Sequence, residues 1–131
     1  MRIAVDTNVL VRFLAWDEAE QSALAAQAIE AAESVAISTL VLCETVRVLR
    51  RAYKLGHQEI AAILRALIDS ASVDVDRLAA EAGLSLLERG GDFADGVILD
   101  DAARTKAAQL VTFDRGFGAL AGERVRVLGA G

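Results

Sequence analysis

Short apolar runs alternate along the chain with longer stretches whose apolar residues recur at helical spacing. The strand-like runs are Arg2–Val5, Val35–Ser38, Val73–Val75, Leu110–Phe113 and Val125–Leu128. The helical stretches are Thr7–Ala15, Glu18–Glu33, Thr39–Lys54, Gln58–Ser70, Arg77–Arg89 and Ala94–Ala107. This alternation predicts an α/β protein, a three-layer α/β/α sandwich with a central parallel sheet. In such sheets, ligands bind beyond the carboxyl ends of the strands.

The composition narrows the class of protein. The 131 residues, 54% apolar and 25% charged, predict one globular domain that covers residues 1–131. A lone cysteine, Cys43, excludes an internal disulfide and fits a reducing compartment. The single histidine, His57, lies far from Cys43 in the sequence. Nucleophilic mechanisms that need a serine or cysteine beside a histidine are therefore poorly supported.

No targeting or membrane segment is predicted. A charge arrives at Asp6, which leaves no room for a signal-peptide core, and the run Val35–Cys43 is too short to span a bilayer. We therefore expect a soluble, cytoplasmic protein. The net charge of −5 argues weakly against a passive nucleic-acid coat, although it does not exclude a nuclease whose acids are screened by cations.

Carboxylates follow two predicted strands directly. Asp6 follows RIAV, and Asp114 follows LVTF, so both lie on the edge where a parallel sheet places its site. Aspartate is also a preferred N-cap, and both stretches open predicted helices. Capping alone does not explain why the two acids recur at matching positions in the topology.

Glu44 is a third candidate, in the first turns of the helix that follows VAIS. It lies across from the apolar face of that helix and points toward the carboxyl edge of the sheet. The alternative is a solvated glutamate paired with Arg47 or Arg51.

The segment GDFADGVILDDAARTK carries a dense group of aspartates. On a helix that begins near Ala94, Asp95 falls on the inward side, with Ile98, Leu99 and Ala102. A carboxylate there is unfavourable unless it caps, pairs or binds a cation. Asp92 precedes the helix and is positioned either to cap it or to join the same site. Asp100 and Asp101 face away, within reach of Arg104, as solvated ion pairs.

Carboxylates that converge without histidine or cysteine form an oxygen-only ligand set. Such a set suits Mg²⁺ or Mn²⁺ and argues against zinc. The commonest use of such a cluster is hydrolysis at phosphorus, with metal-activated water as the nucleophile.

The stretches MRIAVDTNVLVRFL, CETVRVLRRAY, DFADGVILDDA and LVTFDRGF together resemble the PIN-domain ribonucleases. More narrowly, they resemble the VapC-type toxins of bacterial toxin–antitoxin pairs. The resemblance runs from the first residue to about Leu120. It implies a Mg²⁺- or Mn²⁺-dependent endoribonuclease whose catalytic, metal-binding acids are Asp6, Glu44, Asp95 and Asp114. We call these four the acidic quartet; in the family they position the attacking hydroxide.

The resemblance also implies supporting residues and partners. Thr7 and Asn8 match polar positions that support the first aspartate of the quartet. Thr112 matches a polar position that lies two residues before the last aspartate of the quartet. Asp92 matches a less uniform acidic position of the metal site. A homodimer is expected, as is a small antitoxin that wraps the helices and inserts a side chain into the site. Gly96 departs from the family pattern, which has alanine; we expect it to loosen its helix by at most about 1 kcal/mol.

Basic residues lie near the proposed chemistry. Arg47, Arg50, Arg51 and Lys54 share a face of the helix that carries Glu44. They are candidates for contact with RNA phosphates or with an acidic stretch of antitoxin, or they form a plain solvated face. Arg115, beside Asp114, is a further candidate for phosphate contact.

The residues alone leave two other functions possible. One is a Mg²⁺-dependent phosphatase or phosphotransferase with Asp6 as nucleophile, although Asn8 stands where such enzymes commonly carry a second aspartate. The other is a non-catalytic interaction module in which the acids serve only as caps. The preference for RNA over DNA comes from the resemblance alone.

Overall fold

The computed structural model describes residues 1–129. Its contacts divide the chain into two compact units, an amino-terminal unit, Met1–Asp76, and a carboxy-terminal unit that begins at Arg77.

The amino-terminal unit is built on a parallel sheet of three strands in the order β1-β2-β3. The strands are β1 (Arg2–Ala4), β2 (Ser34–Ala36) and β3 (Val73–Asp74). The helices are α1 (Thr7–Ala15), α2 (Ala19–Ala31), α3 (Thr39–Arg51) and α4 (His57–Ile68). Each parallel neighbour is reached through a pair of helices, as parallel connections require.

The core of this unit joins the central strand to the apolar faces of the helices. Its most deeply buried side chains include Val35, Leu10, Leu42, Leu49, Ile60 and Leu64. The Ser38 hydroxyl accepts a hydrogen bond from the Val41 amide at 3.1 Å and so fixes the start of α3. With Leu42 and Leu49 buried, the opposite side of α3, which carries Glu44, faces solvent.

The carboxy-terminal unit contains a second parallel pair of strands, β4 (Leu110–Thr112) and β5 (Val125–Val127). Its helices are α5 (Arg77–Glu88), α6 (Phe93–Arg104) and α7 (Arg115–Ala121), with a 3-10 turn at Gly122–Arg124. A hydrophobic cluster in this unit contains Leu86, Leu99, Phe117, Ala121 and Val125.

Helices α5 and α6 approach each other closely at two buried glycines. A Cβ added at Gly96 would lie 2.2 Å from the Ala82 carbonyl oxygen, and one added at Gly83 would lie 2.6 Å from the Phe93 ring. Gly96 therefore does more than loosen its helix, which was the expectation from the sequence. Its missing side chain lets the two backbones meet.

The α/β class with parallel strands, predicted from the sequence, is confirmed. The strands are shorter than predicted, and Lys54, predicted to be helical, lies beyond α3 with φ of 58°. Helix α7 was expected only as a helix start after Asp114, and the turn at Gly122–Arg124 was not predicted. Among the described residues, no helix combines the length and apolar character that a membrane span needs.

Candidate active site

Asp6 links β1 to α1 and caps the helix. Its backbone is extended, and its Oδ1 accepts a hydrogen bond from the Val9 amide at 3.0 Å. The capping interpretation of this aspartate is therefore correct. Capping engages one carboxylate oxygen and fixes the side chain, which is exposed. It leaves Oδ2 available to a further ligand, so capping and metal binding are compatible roles.

Glu44 is oriented by a residue of α1. The Thr7 hydroxyl donates a hydrogen bond to Glu44 Oε1 at 3.0 Å, which ties α3 to the residue that follows Asp6. The alternative pairing of Glu44 with Arg47 or Arg51 is not found in the part of the chain that the structure describes. Asn8, the other predicted supporting residue, is exposed on the first turn of α1. The structure therefore brings Thr7 and Glu44 together.

Asp114 repeats the arrangement of Asp6 at the end of β4. Its Oδ1 accepts a hydrogen bond from the Phe117 amide at 3.0 Å and caps α7. The Asp114 amide in turn donates to the Thr112 hydroxyl at 3.1 Å, so Thr112 shapes the turn that presents the carboxylate. A side chain at Gly116 would come within 3.3 Å of Asp114 Oδ1. A larger residue at this position would therefore crowd the oxygen that caps α7.

Asp95 lies in the first turn of α6, and its side chain is half-buried. Burial raises the pKa of the Asp95 carboxyl above its ordinary value, and the negative charges of Asp92 and Asp114 raise it further. Asp92 caps α6, because its Oδ1 accepts from the Ala94 amide at 3.1 Å. Asp92 and Asp95, both at the start of α6, and Asp114, at the end of β4, therefore interact through their charges, and we call them the Asp92–Asp95–Asp114 group.

The other aspartates of this segment form ion pairs, but the prediction that both are solvated is wrong for Asp100, whose side chain is only 18% exposed. Asp100 and Asp101 both form ion pairs with Arg104, as predicted from their spacing. The predicted inward face of α6 is partly wrong, because Ile98 is 47% exposed whereas Leu99 is buried. The buried stripe of α6 runs instead through Phe93, Gly96, Val97 and Leu99, because the close contact with α5 turns that side inward.

The donors of these groups suit a hard divalent cation. They are carboxylate oxygens, with Thr7 and Thr112 as hydroxyl neighbours, and Mg²⁺ and Mn²⁺ prefer such ligands. Within residues 1–129, no three acidic, histidine or cysteine side chains stand at the mutual distances of a formed metal site. The raised pKa of Asp95 nevertheless marks a concentration of negative charge that a cation would relieve. The Asp92–Asp95–Asp114 group therefore fits a cation by its chemistry.

One acid at a strand end was missed in the sequence. Asp76 follows the short strand β3 much as Asp6 follows β1. Together with Asp74 and Ser38 it lines a groove of about 390 Å³ at the carboxyl ends of β1, β2 and β3, floored by Val5, Ile37 and Val75. The same pattern that singled out Asp6, an acid directly after an apolar strand, would have identified Asp76.

The basic candidates are solvent-facing. Arg47 and Arg51 are exposed on α3, and Arg115 is exposed in the first turn of α7. Arg50 is exposed as well and contacts the His57 ring, with 3.2 Å between its Nη1 and Nδ1 of the ring.

Comparison with protein families matches the PIN domain over residues 3–123, a stretch that includes residues of both units. The chain belongs to the PIN-domain family. PIN domains are generally nucleases, so the protein has a nuclease-type fold, and the predicted fold class agrees with this membership. Comparison with curated proteins finds no significant match.

Proposed function

We propose that this protein is a Mg²⁺- or Mn²⁺-dependent endoribonuclease and the toxin component of a type II toxin–antitoxin system. The observation that carries the proposal is the half-buried Asp95, whose carboxyl pKa is raised by burial and by the negative charges of Asp92 and Asp114. A charge at such a position is unfavourable without a counterion. In a PIN domain, a divalent cation used for phosphodiester hydrolysis accounts for that arrangement.

The acidic quartet, Asp6, Glu44, Asp95 and Asp114, would hold the cation, with Asp92 as an additional ligand. When bound, the cation activates water, neutralises phosphate charge and stabilises the leaving oxygen. The protein itself fixes the orientation of the carboxylates. Helix capping fixes the side chains of Asp6 and Asp114, and the Thr7 hydroxyl orients Glu44.

The proposed reaction is in-line hydrolysis of an RNA phosphodiester, which leaves a 5′-phosphate and a 3′-hydroxyl. The attacking group is water, so the acids do not need the 2′-hydroxyl of the substrate. The choice of RNA, a homodimeric state, the cytoplasm as the place of action and control by a cognate antitoxin follow from the resemblance to VapC-type toxins. They form part of the proposal.

The proposal is tested by incubating purified, antitoxin-free protein with a panel of transfer, ribosomal and messenger RNAs. The reactions run with Mg²⁺, with Mn²⁺ and with EDTA. We expect discrete cuts that disappear with EDTA and in Asp95→Asn. The matched control is Asp101→Asn, the same change on the same helix at a surface ion pair, which should cleave as the wild type does.

The outcomes separate the competing functions. If Asp95→Asn still cleaves RNA, the Asp95 carboxylate has no role in the reaction. Silence across the panel despite measured metal binding would favour the phosphatase or phosphotransferase alternative, which a phosphate-donor assay would then reveal. Silence without metal binding would leave the acids as helix caps in a non-catalytic module.

A further inference from the structure

Three polar side chains meet in a closed triangle near the carboxyl end of α1. Arg12 Nη1 donates to Asp17 Oδ1 at 3.2 Å and to the Tyr53 hydroxyl at 3.3 Å. The Tyr53 hydroxyl in turn donates to Asp17 Oδ2 at 2.6 Å. Arg12 Nε also donates to Gln21 Oε1 at 2.8 Å. We call Arg12, Asp17 and Tyr53 the α1 triangle, in which each side chain contacts the other two.

The α1 triangle joins segments that are distant in the sequence. Arg12 belongs to α1, Asp17 lies in the turn between α1 and α2, and Tyr53 lies just beyond the end of α3. Arg12 and Tyr53 are separated by 41 positions in the chain. The triangle therefore ties the second half of α1 to the end of α3.

The α1 triangle is better defined than an exposed ion pair. The Arg12 side chain is 28% exposed, whereas the side chains of Arg2 and Arg77, which also pair with carboxylates, are 57% and 51% exposed. The hydrogen bond between Tyr53 and Asp17 lowers the pKa of the Asp17 carboxyl and raises the pKa of the Tyr53 hydroxyl. A partly shielded network with several hydrogen bonds holds its geometry where a single solvated pair does not.

The backbone beside the α1 triangle is constrained as well. Trp16 ends α1 in the left-handed region, with φ of 52°, which residues other than glycine rarely adopt. The Trp16 amide donates to the Arg12 carbonyl at 3.3 Å. This turn reverses the chain so that Asp17 comes back to the Arg12 side chain. The side chains of the triangle and the backbone of the turn thus hold the same end of α1.

At its other end, α1 has a second polar tie to α3, the hydrogen bond from the Thr7 hydroxyl to Glu44 Oε1. Thr7 and Arg12 lie on one helix, about 7.5 Å apart along its axis at a rise of about 1.5 Å per residue. Between them, Leu10 and Val11 are buried and attach α1 to the core. Apolar contact is not directional, so it does not by itself set the direction of the Thr7 hydroxyl.

We propose that the α1 triangle keeps the Thr7 hydroxyl in register with Glu44, so that Arg12, Asp17 and Tyr53 are positioning residues of the active site. This inference rests on the proposed nuclease function, in which Glu44 is a metal ligand. Groups in such a site must be held within about 0.5 Å of the productive geometry. Two polar ties on one rigid helix limit the rotation and sliding that a single tie would allow. The three residues act through α1 and not on the substrate.

The first test needs neither metal nor RNA. In EDTA, the three-bond NMR couplings from the Thr7 backbone nitrogen and carbonyl carbon to its Cγ2 report whether this side chain keeps one rotamer. We expect one rotamer in the wild type and averaging in Tyr53→Phe, which keeps the ring but removes the shared hydroxyl. Arg12→Lys should give the same result, because an ammonium lacks the planar fork with which a guanidinium reaches several acceptors.

The matched control is Arg2→Gln. Like Arg12, Arg2 donates to a carboxylate and a hydroxyl in the amino-terminal unit, but these belong to Asp74 and Ser34, in β3 and β2. The control should leave the Thr7 couplings as in the wild type. If it averages the Thr7 rotamer as much as Arg12→Lys does, the effect is a general loss of stability, and the positioning role is rejected.

A double-mutant cycle on the Mn²⁺-loaded protein distinguishes positioning from stability. Tyr53→Phe should lower kcat for RNA cleavage about fivefold, short of the roughly tenfold loss expected when the Thr7 hydrogen bond is removed outright, and should leave KM within about twofold. In a Thr7→Val background, the same change should alter kcat by less than about 1.5-fold, because no hydrogen bond is left to misalign. A merely structural role would lower Tm without this dependence on Thr7.

The outcomes separate the positioning role from the nuclease function. If the wild type does not cleave RNA but Tyr53→Phe and Arg12→Lys release the Thr7 rotamer, the register of Thr7 is supported and the nuclease function is rejected. If the wild type cleaves RNA and both variants keep the Thr7 rotamer and kcat, the positioning role is rejected and the nuclease function stands. An equal fall of kcat with and without the Thr7 hydroxyl would also reject the positioning role.

Discussion

Replacing Gly96 with alanine should destabilise the protein, although helix propensity predicts the reverse. Glycine inside a helix is less favourable than alanine by roughly 1 kcal/mol, so the substitution would stabilise an isolated α6. In the structure, however, the added Cβ would lie 2.2 Å from the Ala82 carbonyl oxygen and 2.8 Å from Gly83 Cα. The contacted atoms are backbone and have no rotamer with which to yield.

The magnitude follows from the separation that the new methyl group requires. Ordinary contact begins near 3.4 Å, and the added Cβ would lie 2.2 Å from the Ala82 oxygen, so α5 and α6 must part by about 1.2 Å at this point. Overpacking of a rigid core costs about 1–3 kcal/mol and occasionally more. Because the required separation is large and the contacted atoms are backbone, we take the upper part of this range, about 2–3 kcal/mol, and the gain of about 1 kcal/mol in propensity leaves a net loss of about 1–2 kcal/mol. At roughly 4 °C per kcal/mol for a domain of this size, Tm falls by about 4–8 °C.

The assay is thermal and urea unfolding followed by circular dichroism, with Ala103→Gly as the control. Ala103 is exposed in the last turn of the same helix, so its replacement tests propensity without the contact to α5, and the expected loss is less than the roughly 1 kcal/mol of a helix interior. A Gly96→Ala protein more stable than the wild type would refute the close-contact argument. It would mean that Gly96 is only the weak helix residue that the sequence suggested.

Two further predictions concern the acids. Burial and the charges of Asp92 and Asp114 raise the pKa of Asp95, so its ionised form destabilises the fold above that raised pKa. Asp95→Asn should therefore stabilise the metal-free protein at neutral pH, and this gain in unfolding free energy should vanish at a pH below the ordinary aspartate pKa. Urea unfolding at neutral pH and at the acidic pH measures the gain. An equal gain at the two pH values would contradict the argument. Thr7→Val removes the hydrogen bond that orients Glu44, so it should lower kcat for RNA cleavage by roughly tenfold and leave the Tm of the protein within about 2 °C of the wild type. An unchanged kcat would show that this hydrogen bond does not orient Glu44.

Local pattern was sufficient to locate most helices and strands. Apolar alternation identified β1 and β4, and the polar residues after them identified the helix starts at Asp6 and Asp114. Those signals are local, because capping joins residues three positions apart. The ion pairs of Arg104 were predictable for the same reason.

Contacts between distant residues were beyond the reach of that pattern. Thr7 and Glu44 lie 37 positions apart, and nothing in the spacing reveals that the hydroxyl meets the carboxylate. The role of Gly96 depends on how α5 packs against α6, which periodicity does not encode. The exposure of Ile98 has the same origin, because the close contact on the other side of α6 turns this residue outward. Sequence alone therefore identified the candidate acids and the capping roles of Asp6 and Asp114, but not the contact that orients Glu44.

The central claim is that the carboxylates of the acidic quartet bind the divalent cation proposed for RNA cleavage, and a calorimetric titration of Mn²⁺ tests it most directly. The titration compares the wild type with Asp6→Asn, Asp95→Asn and the surface control Asp101→Asn. We predict that Asp6→Asn and Asp95→Asn each weaken Mn²⁺ binding at least tenfold and that Asp101→Asn binds as the wild type does. Equal Mn²⁺ affinity in all four proteins, or no binding in any of them, would contradict the account.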